Sequence, residues 1–144
     1  MCYEAALRLP CLPVSVQAAR RFVAGQLVTW GAGASDSAHA RVDDIKLVTS
    51  EFVGNAAKFC GGEIEVSLSS HRDHVEVAVS DDNPASAVLQ HRGPDIASGR
   101  GLLLVDALAE RWGQRPHGGG KTLWARLALP PGSALARGCR LPLH

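Results

Sequence analysis

The 144-residue sequence lacks an excess of either charge. Fifteen Lys and Arg stand against fourteen Asp and Glu, a formal net charge of +1 at pH 7. Nucleic-acid-binding domains usually carry a clear basic excess, so neither DNA nor RNA is expected as a partner. No apolar run approaches the ~20 residues of a membrane-spanning helix. The start, Met1-Cys2-Tyr3-Glu4, lacks the basic segment and apolar stretch of a secretory signal. Cys2, Cys11, Cys60 and Cys139 lack CxxC spacing, which removes the common zinc and dithiol motifs. They read as buried or incidental thiols of a cytoplasmic protein. His71 and His74 bracket Arg72-Asp73 with no third ligand suggested nearby, so they read as turn residues rather than a metal site.

What is present points to one folded domain. Hydrophobic residues make up 46% and charged residues 20%, which argues against disorder. A chain this long buries roughly 68–70% of its unfolded surface, enough to fold without a metal or disulfide. Ala5–Leu9 reads as a short edge strand ended by Pro10 and Pro13. Ser15 has the chemistry of a helix cap, and Val16, Ala19, Phe22 or Val23, Leu27 and Trp30 recur at helical spacing to about Trp30. After a turn marked by Gly31, Gly33 and Asp36, a second helix is predicted from about Ala38 to Phe59. Its stripe is Val42, Ile45, Val48, Phe52, Ala56 and Phe59, with Gly61-Gly62 as the stop.

The period then changes from helical to two. Ile64, Val66 and Leu68, then Val75, Val77 and Val79, alternate with more polar neighbours around a turn at Ser70–Asp73. This is the pattern of an antiparallel hairpin with one buried face. Asp82–Arg100 has no periodicity and reads as a long functional or disordered loop. A third helix is predicted from near Gly101, with Leu102, Val105, Leu108 and Ala109 inward. Trp112–Arg115 and Lys121–Leu129 read as closing strands joined at Gly118-Gly119-Gly120, with Leu123, Ala125, Leu127 and Leu129 inward. The expected fold is α+β, a two-layer sandwich with a mixed, mostly antiparallel sheet and helices on one face. The domain spans 1–130, and 131–144 is expected to be a disordered tail.

Four places could carry chemistry. Glu51 and Asn55, spaced i and i+4, share one helix face at about 6 Å. Asn is a poor residue in a helix middle because its amide competes for backbone hydrogen bonds. Its amide oxygen suits Mg²⁺, and a neighbouring carboxylate suits a general base; a solvated Glu beside a loop-bound Asn is the alternative. Asp81-Asp82-Asn83-Pro84 ends a strand, where a carboxylate can accept from an exocyclic amine such as that of adenine, or simply make a turn. Ser98-Gly99-Arg100-Gly101 precedes the third helix, whose N-terminus offers free N–H groups to phosphate. Gly118-Gly119-Gly120-Lys121-Thr122 is not a P-loop. Arg115 stands where the first glycine is needed, and a strand follows instead of a helix.

In their order and spacing these motifs resemble the GHKL (Bergerat-fold) ATPases. Within them they are most similar to the anti-sigma-factor serine/threonine kinases, small stand-alone ATP-binding regulatory proteins of actinobacteria. Leu47-Val48-Thr49-Ser50-Glu51-Phe52-Val53-Gly54-Asn55-Ala56 looks like the N box, and Val79–Pro84 like the first glycine-box position. Ser98–Val105 and Gly118–Trp124 complete the set, and the likeness covers about residues 5–129. It departs from the wider pattern at Asn83 and Ala85, where glycines usually fall, and at Lys58-Phe59-Cys60 after the N box.

The resemblance implies roles. Asn55 would coordinate Mg²⁺ on the ATP phosphates, and Glu51 would be the general base for the accepting hydroxyl. Asp81 would bind the adenine amine. Gly99, Arg100 and Gly101 would cradle phosphates at the end of a lid formed by Asp82–Arg100. Thr122 would help hold adenine, and Lys121 would face the nucleotide or a partner. The implied protein is an ATP- and Mg²⁺-dependent kinase that also sequesters a sigma factor and phosphorylates an anti-sigma-factor antagonist. Phosphoryl transfer asks chiefly for positioning and charge neutralisation, which such a site supplies. A non-catalytic ATP-binding interaction module is the alternative. The first helix and edge strand are the candidate surface for a homodimer.

Overall fold

The computed structural model describes residues 2–32, 36–58, 61–83 and 96–130, with the backbone alone for 36–39 and 96–101. The elements in chain order are β1 (Tyr3–Pro10), α1 (Ser15–Thr29), α2 (Asp36–Ala57), β2 (Glu63–Ser70), β3 (His74–Asp81), α3 (Ile96–Leu108), β4 (Arg111–His117) and β5 (Gly120–Ala128). The strands form one five-stranded sheet in the order β1-β2-β3-β5-β4. Every pairing in it is antiparallel, so the described sheet is antiparallel throughout rather than mixed.

The period-two pattern decides which face of this sheet is covered. Ile64, Val66 and Leu68 of β2, Val75, Val77 and Val79 of β3, and Leu123, Ala125 and Leu127 of β5 are buried in one cluster. Ala19, Val23 and Leu27 of α1 join them at intervals of one helical turn, with Val42, Ile45, Val48, Phe52, Val53 and Ala56 of α2. At 25 cal/mol per Å², each Val, Leu, Ile or Phe among them contributes about 1.5–3 kcal/mol by leaving water. The alternate residues Ser67, Glu76, Trp124 and Arg126 remain half-buried on the other face. The result is the expected two-layer α+β sandwich, with helices on one side of the sheet.

Local chemistry sets the element ends. Ser15 is the first residue of α1, not its cap; Val14 takes that position without a side-chain cap bond. The Ser15 hydroxyl instead donates to the Pro10 carbonyl, fastening the helix start to the end of β1. At the other end Gly31 adopts φ +106°, and Ala32 N–H donates to Leu27 O at 2.8 Å while Gly31 N–H donates to Val28 O at 3.0 Å. This is a Schellman ending, which a glycine makes at no steric cost. Trp30 then stacks on Tyr3 at 5.4 Å, joining α1 to the edge strand.

Two further expectations change. α3 begins at Ile96 rather than near Gly101, so Gly99, Arg100 and Gly101 lie inside its first two turns. Glycine weakens a helix by only about 1 kcal/mol, and packing of α3 on α2 outweighs that. Cys2 and Cys11 are disulfide-bonded, not free thiols. Sequence spacing did not reveal this because the bonds join residues that only the fold brings together. Alkylating the denatured, unreduced protein is expected to leave Cys2 and Cys11 unlabelled, and reduction to expose both; labelling of either before reduction would contradict the assignment. Phe59, Cys60, Cys139, residues 84–95 of the expected lid and the tail 131–144 lie outside the described residues.

Candidate functional site

The α2 helix carries Glu51 and Asn55 on one face, as their spacing requires, and both are partly buried. Two hydroxyls just before them are spent on the helix itself: Thr49 donates to Ile45 O at 2.7 Å and Ser50 to Lys46 O at 2.9 Å. Asn55 differs. Its Oδ1 is buried and has no hydrogen-bond partner among the described residues. Leaving a buried acceptor unmade costs about 1–3 kcal/mol, so native proteins rarely keep one without a use. An amide oxygen without such a partner suits a hard cation such as Mg²⁺.

The second half of the site forms where β3 ends against the start of β5. Asp81 pairs with Lys121 in the sheet register, and both belong to the core-facing alternation of their strands. Their side chains form an ion pair at 2.9 Å with exposures of 1% and 3%. Lys121 Nζ also donates to Asp81 Oδ1 at 3.1 Å and to the Asn83 carbonyl at 3.2 Å. Asn83 N–H donates to Asp81 Oδ1 at 2.8 Å, an Asx turn that ends the strand. Asp81 is therefore both a turn residue and a buried charge. A carboxylate offers about four lone-pair sites, so after these contacts room for one further donor remains.

Gly120 makes this pairing feasible. A Cβ there would overlap the Asp81 carbonyl oxygen, so only glycine lets β5 approach β3 this closely. Gly118 turns the chain with φ +56°. Sequence reading took these glycines for a plain turn, and the glycine preceding Lys121 was the one signal of a tight strand approach.

Alternation separates Thr122 from its neighbour. Its hydroxyl lies 2.7 Å from that of Ser80, its cross-strand partner, on the face away from Asp81. Of the phosphate-cradle residues, Gly99, Arg100 and Gly101 are the fourth to sixth residues of α3, within its first two turns. The helix that carries Glu51 and Asn55 packs on β3, the strand that ends in Asp81. Gly61 N–H donates to Asp82 Oδ1 at 3.3 Å, fixing the chain after α2 to the end of β3.

A cleft of about 450 Å³ borders the same strand ends, lined by Arg8, Glu63, Ile64, Glu65, Ser80, Asp81, Asp82, His117 and Gly118–Gly120. Glu51 and Asn55 do not line it.

A protein-family model described as the histidine kinase-like ATPase domain matches residues 9–127, from the end of β1 to the end of β5. No curated protein matches the chain.

Proposed function

The chain belongs to the histidine kinase-like ATPase family, an ATP-binding fold, and on that premise we propose that it is an anti-sigma factor and protein serine/threonine kinase. Its acceptor is a serine or threonine hydroxyl of an anti-sigma-factor antagonist. The observation that carries this reading is the buried, unpartnered Oδ1 of Asn55 one helical turn after Glu51.

Bound Mg-ATP supplies the transferable phosphoryl group and a cation that offsets its charge. Asn55 Oδ1 is the donor that fits the cation, since it is a hard oxygen with no other partner. Glu51 takes the proton from the accepting hydroxyl. Asp81 offers its remaining lone pair to the adenine amine, and Lys121 holds that carboxylate in place. Thr122 acts from behind, tying β5 to β3 through Ser80. Gly99, Arg100 and Gly101, in the first turns of α3, would hold the phosphates.

Protein partners have a surface to use. β1 is an edge strand, and Leu12, Val14 and Val28 at the ends of α1 are 50%, 70% and 61% exposed. We assign this side to the sigma factor or to a second copy of the chain. No described helix is long and apolar enough to cross a membrane. An ATP-dependent role fits a cytoplasmic protein, in which the disulfides of Cys2 and Cys11 would be exceptions to the reducing poise.

Calorimetric titration with ATP and Mg²⁺ tests the ligand; no heat at millimolar nucleotide ends the proposal. Transfer is tested with labelled ATP and an anti-sigma-factor antagonist as acceptor. Glu51→Ala is expected to lower transfer by about 10²–10⁴-fold, the usual worth of a general base, with ATP affinity nearly unchanged. Equal transfer by wild type and variant would remove Glu51 as the base. Binding without transfer in the wild type would favour the non-catalytic module.

A further inference from the structure

The β2–β3 hairpin ends in a cluster that nucleotide binding does not use. His71 N–H donates to His74 O at 2.8 Å and closes the turn. This stacks the two imidazoles at 4.4 Å with 10° between their planes. Glu76 follows His74 by two residues, on the same face of β3. One ligand atom from each of His71, His74 and Glu76 lies within 4.8 Å of the others. Glu76 is the third donor that the spacing of the two histidines did not reveal.

We propose that His71, His74 and Glu76 bind a divalent transition-metal ion of the zinc(II) class, with water completing the coordination. Two imidazoles and one carboxylate select zinc, cobalt, nickel or copper over magnesium or calcium. Donors about 2.1 Å from a tetrahedral ion stand about 3.4 Å apart, so side-chain rotation closes the gap without moving the backbone. Asp73 Oδ1 is 2.7 Å from His74 Nδ1. That carboxylate fixes the ring and leaves Nε2 for the metal, the usual outer partner of a metal-binding histidine. Ser69 Oγ, 3.2 Å from His71 Nε2, engages one nitrogen of the other ring and leaves its second.

Two arginines compete for Glu76, but weakly. Arg126 Nε is 3.4 Å from Oε2 and Arg115 Nη2 is 3.8 Å from Oε1. Neither contact is a hydrogen bond, and Arg126 Nε is buried with no such partner among the described residues. Arg126 also lies over the Trp124 ring at 5.5 Å, which holds the guanidinium when Glu76 turns to the ion. The cluster sits on the open face of the sheet, away from Asn55 and α2, so metal and nucleotide occupy independent sites.

The test is titration of the chelator-treated full chain with zinc chloride by calorimetry, without nucleotide, with cobalt(II) absorption as the coordination readout. One equivalent is expected to bind and to give cobalt bands in the visible without a thiolate charge-transfer band. His71→Ala and His74→Ala should each weaken binding at least about 10-fold, and Asp73→Asn by about 10-fold. His117→Ala, outside the cluster, should leave it unchanged. Glu76→Gln serves as a second variant, since it keeps the shape of the side chain while removing the anionic donor. Absence of binding by the wild type, or full binding by the His71→Ala/His74→Ala double variant, overturns the proposal.

Discussion

Asn55→Ala is expected to weaken Mg-ATP binding at least about 100-fold while leaving the melting temperature unchanged or higher. The first half follows from the role of the amide oxygen. Loss of a mere outer partner of a bound metal costs 10–100-fold in affinity, and Asn55 is proposed as a direct ligand. The second half follows from the free protein. Its Oδ1 is buried without a partner, a condition that costs about 1–3 kcal/mol. Alanine removes that cost and is also the better helix former. Function and stability should therefore move in opposite directions, as they do where a site is held ready for a ligand. Calorimetry with Mg-ATP and a thermal melt of the same sample read the two halves. Unchanged ATP affinity would refute the ligand assignment; a lowered melting temperature would mean that the oxygen has a protein partner after all.

Asp81→Ala should destabilise the fold by about 3–5 kcal/mol, because it leaves the Lys121 ammonium buried without a counter-charge. For a domain of this size that corresponds to a fall in melting temperature of roughly 10–20 °C. The side chains of both partners are nearly inaccessible, so water cannot take over the carboxylate's role. The variant also loses the Asx turn through Asn83. Asp81→Leu with Lys121→Met is expected to recover most of the loss, since replacing both charges removes two desolvation costs at once. A double-mutant cycle in thermal or urea unfolding measures the coupling. Additive losses, with the double variant as weak as the sum of its parts, would show that the pair is not the source of the effect. ATP binding should fail in the double variant even where stability returns, which separates Asp81's structural part from its proposed part at adenine.

Hydrophobic spacing made most of the fold legible. Val42, Ile45, Val48, Phe52 and Ala56 repeat at the helical period and are buried in α2. Ile64, Val66 and Leu68 repeat at the strand period and are buried in β2. Burial of one face is a local demand, written into neighbouring residues, so it can be read without a partner in view. The start of α3 was less legible. Gly99 and Gly101 argue locally for a boundary, yet the helix starts at Ile96. The same limit applied to Ser15, whose hydroxyl reaches the Pro10 carbonyl instead of capping its own helix.

By itself, then, the sequence determined the helix and strand periods, the hairpin, the spacing of Glu51 and Asn55, and the near-neutral charge. Those features depend on residues a few positions apart, which covalent geometry already holds in fixed relation. Tertiary structure alone decided what those residues meet. It seated Lys121 on Asp81 across 40 positions of chain, left Asn55 Oδ1 without a partner, and set Glu76 beside two histidines. It also joined Cys2 and Cys11 in disulfides. Contacts of that kind depend on strand register and on which faces are pressed together, and local spacing carries no record of either.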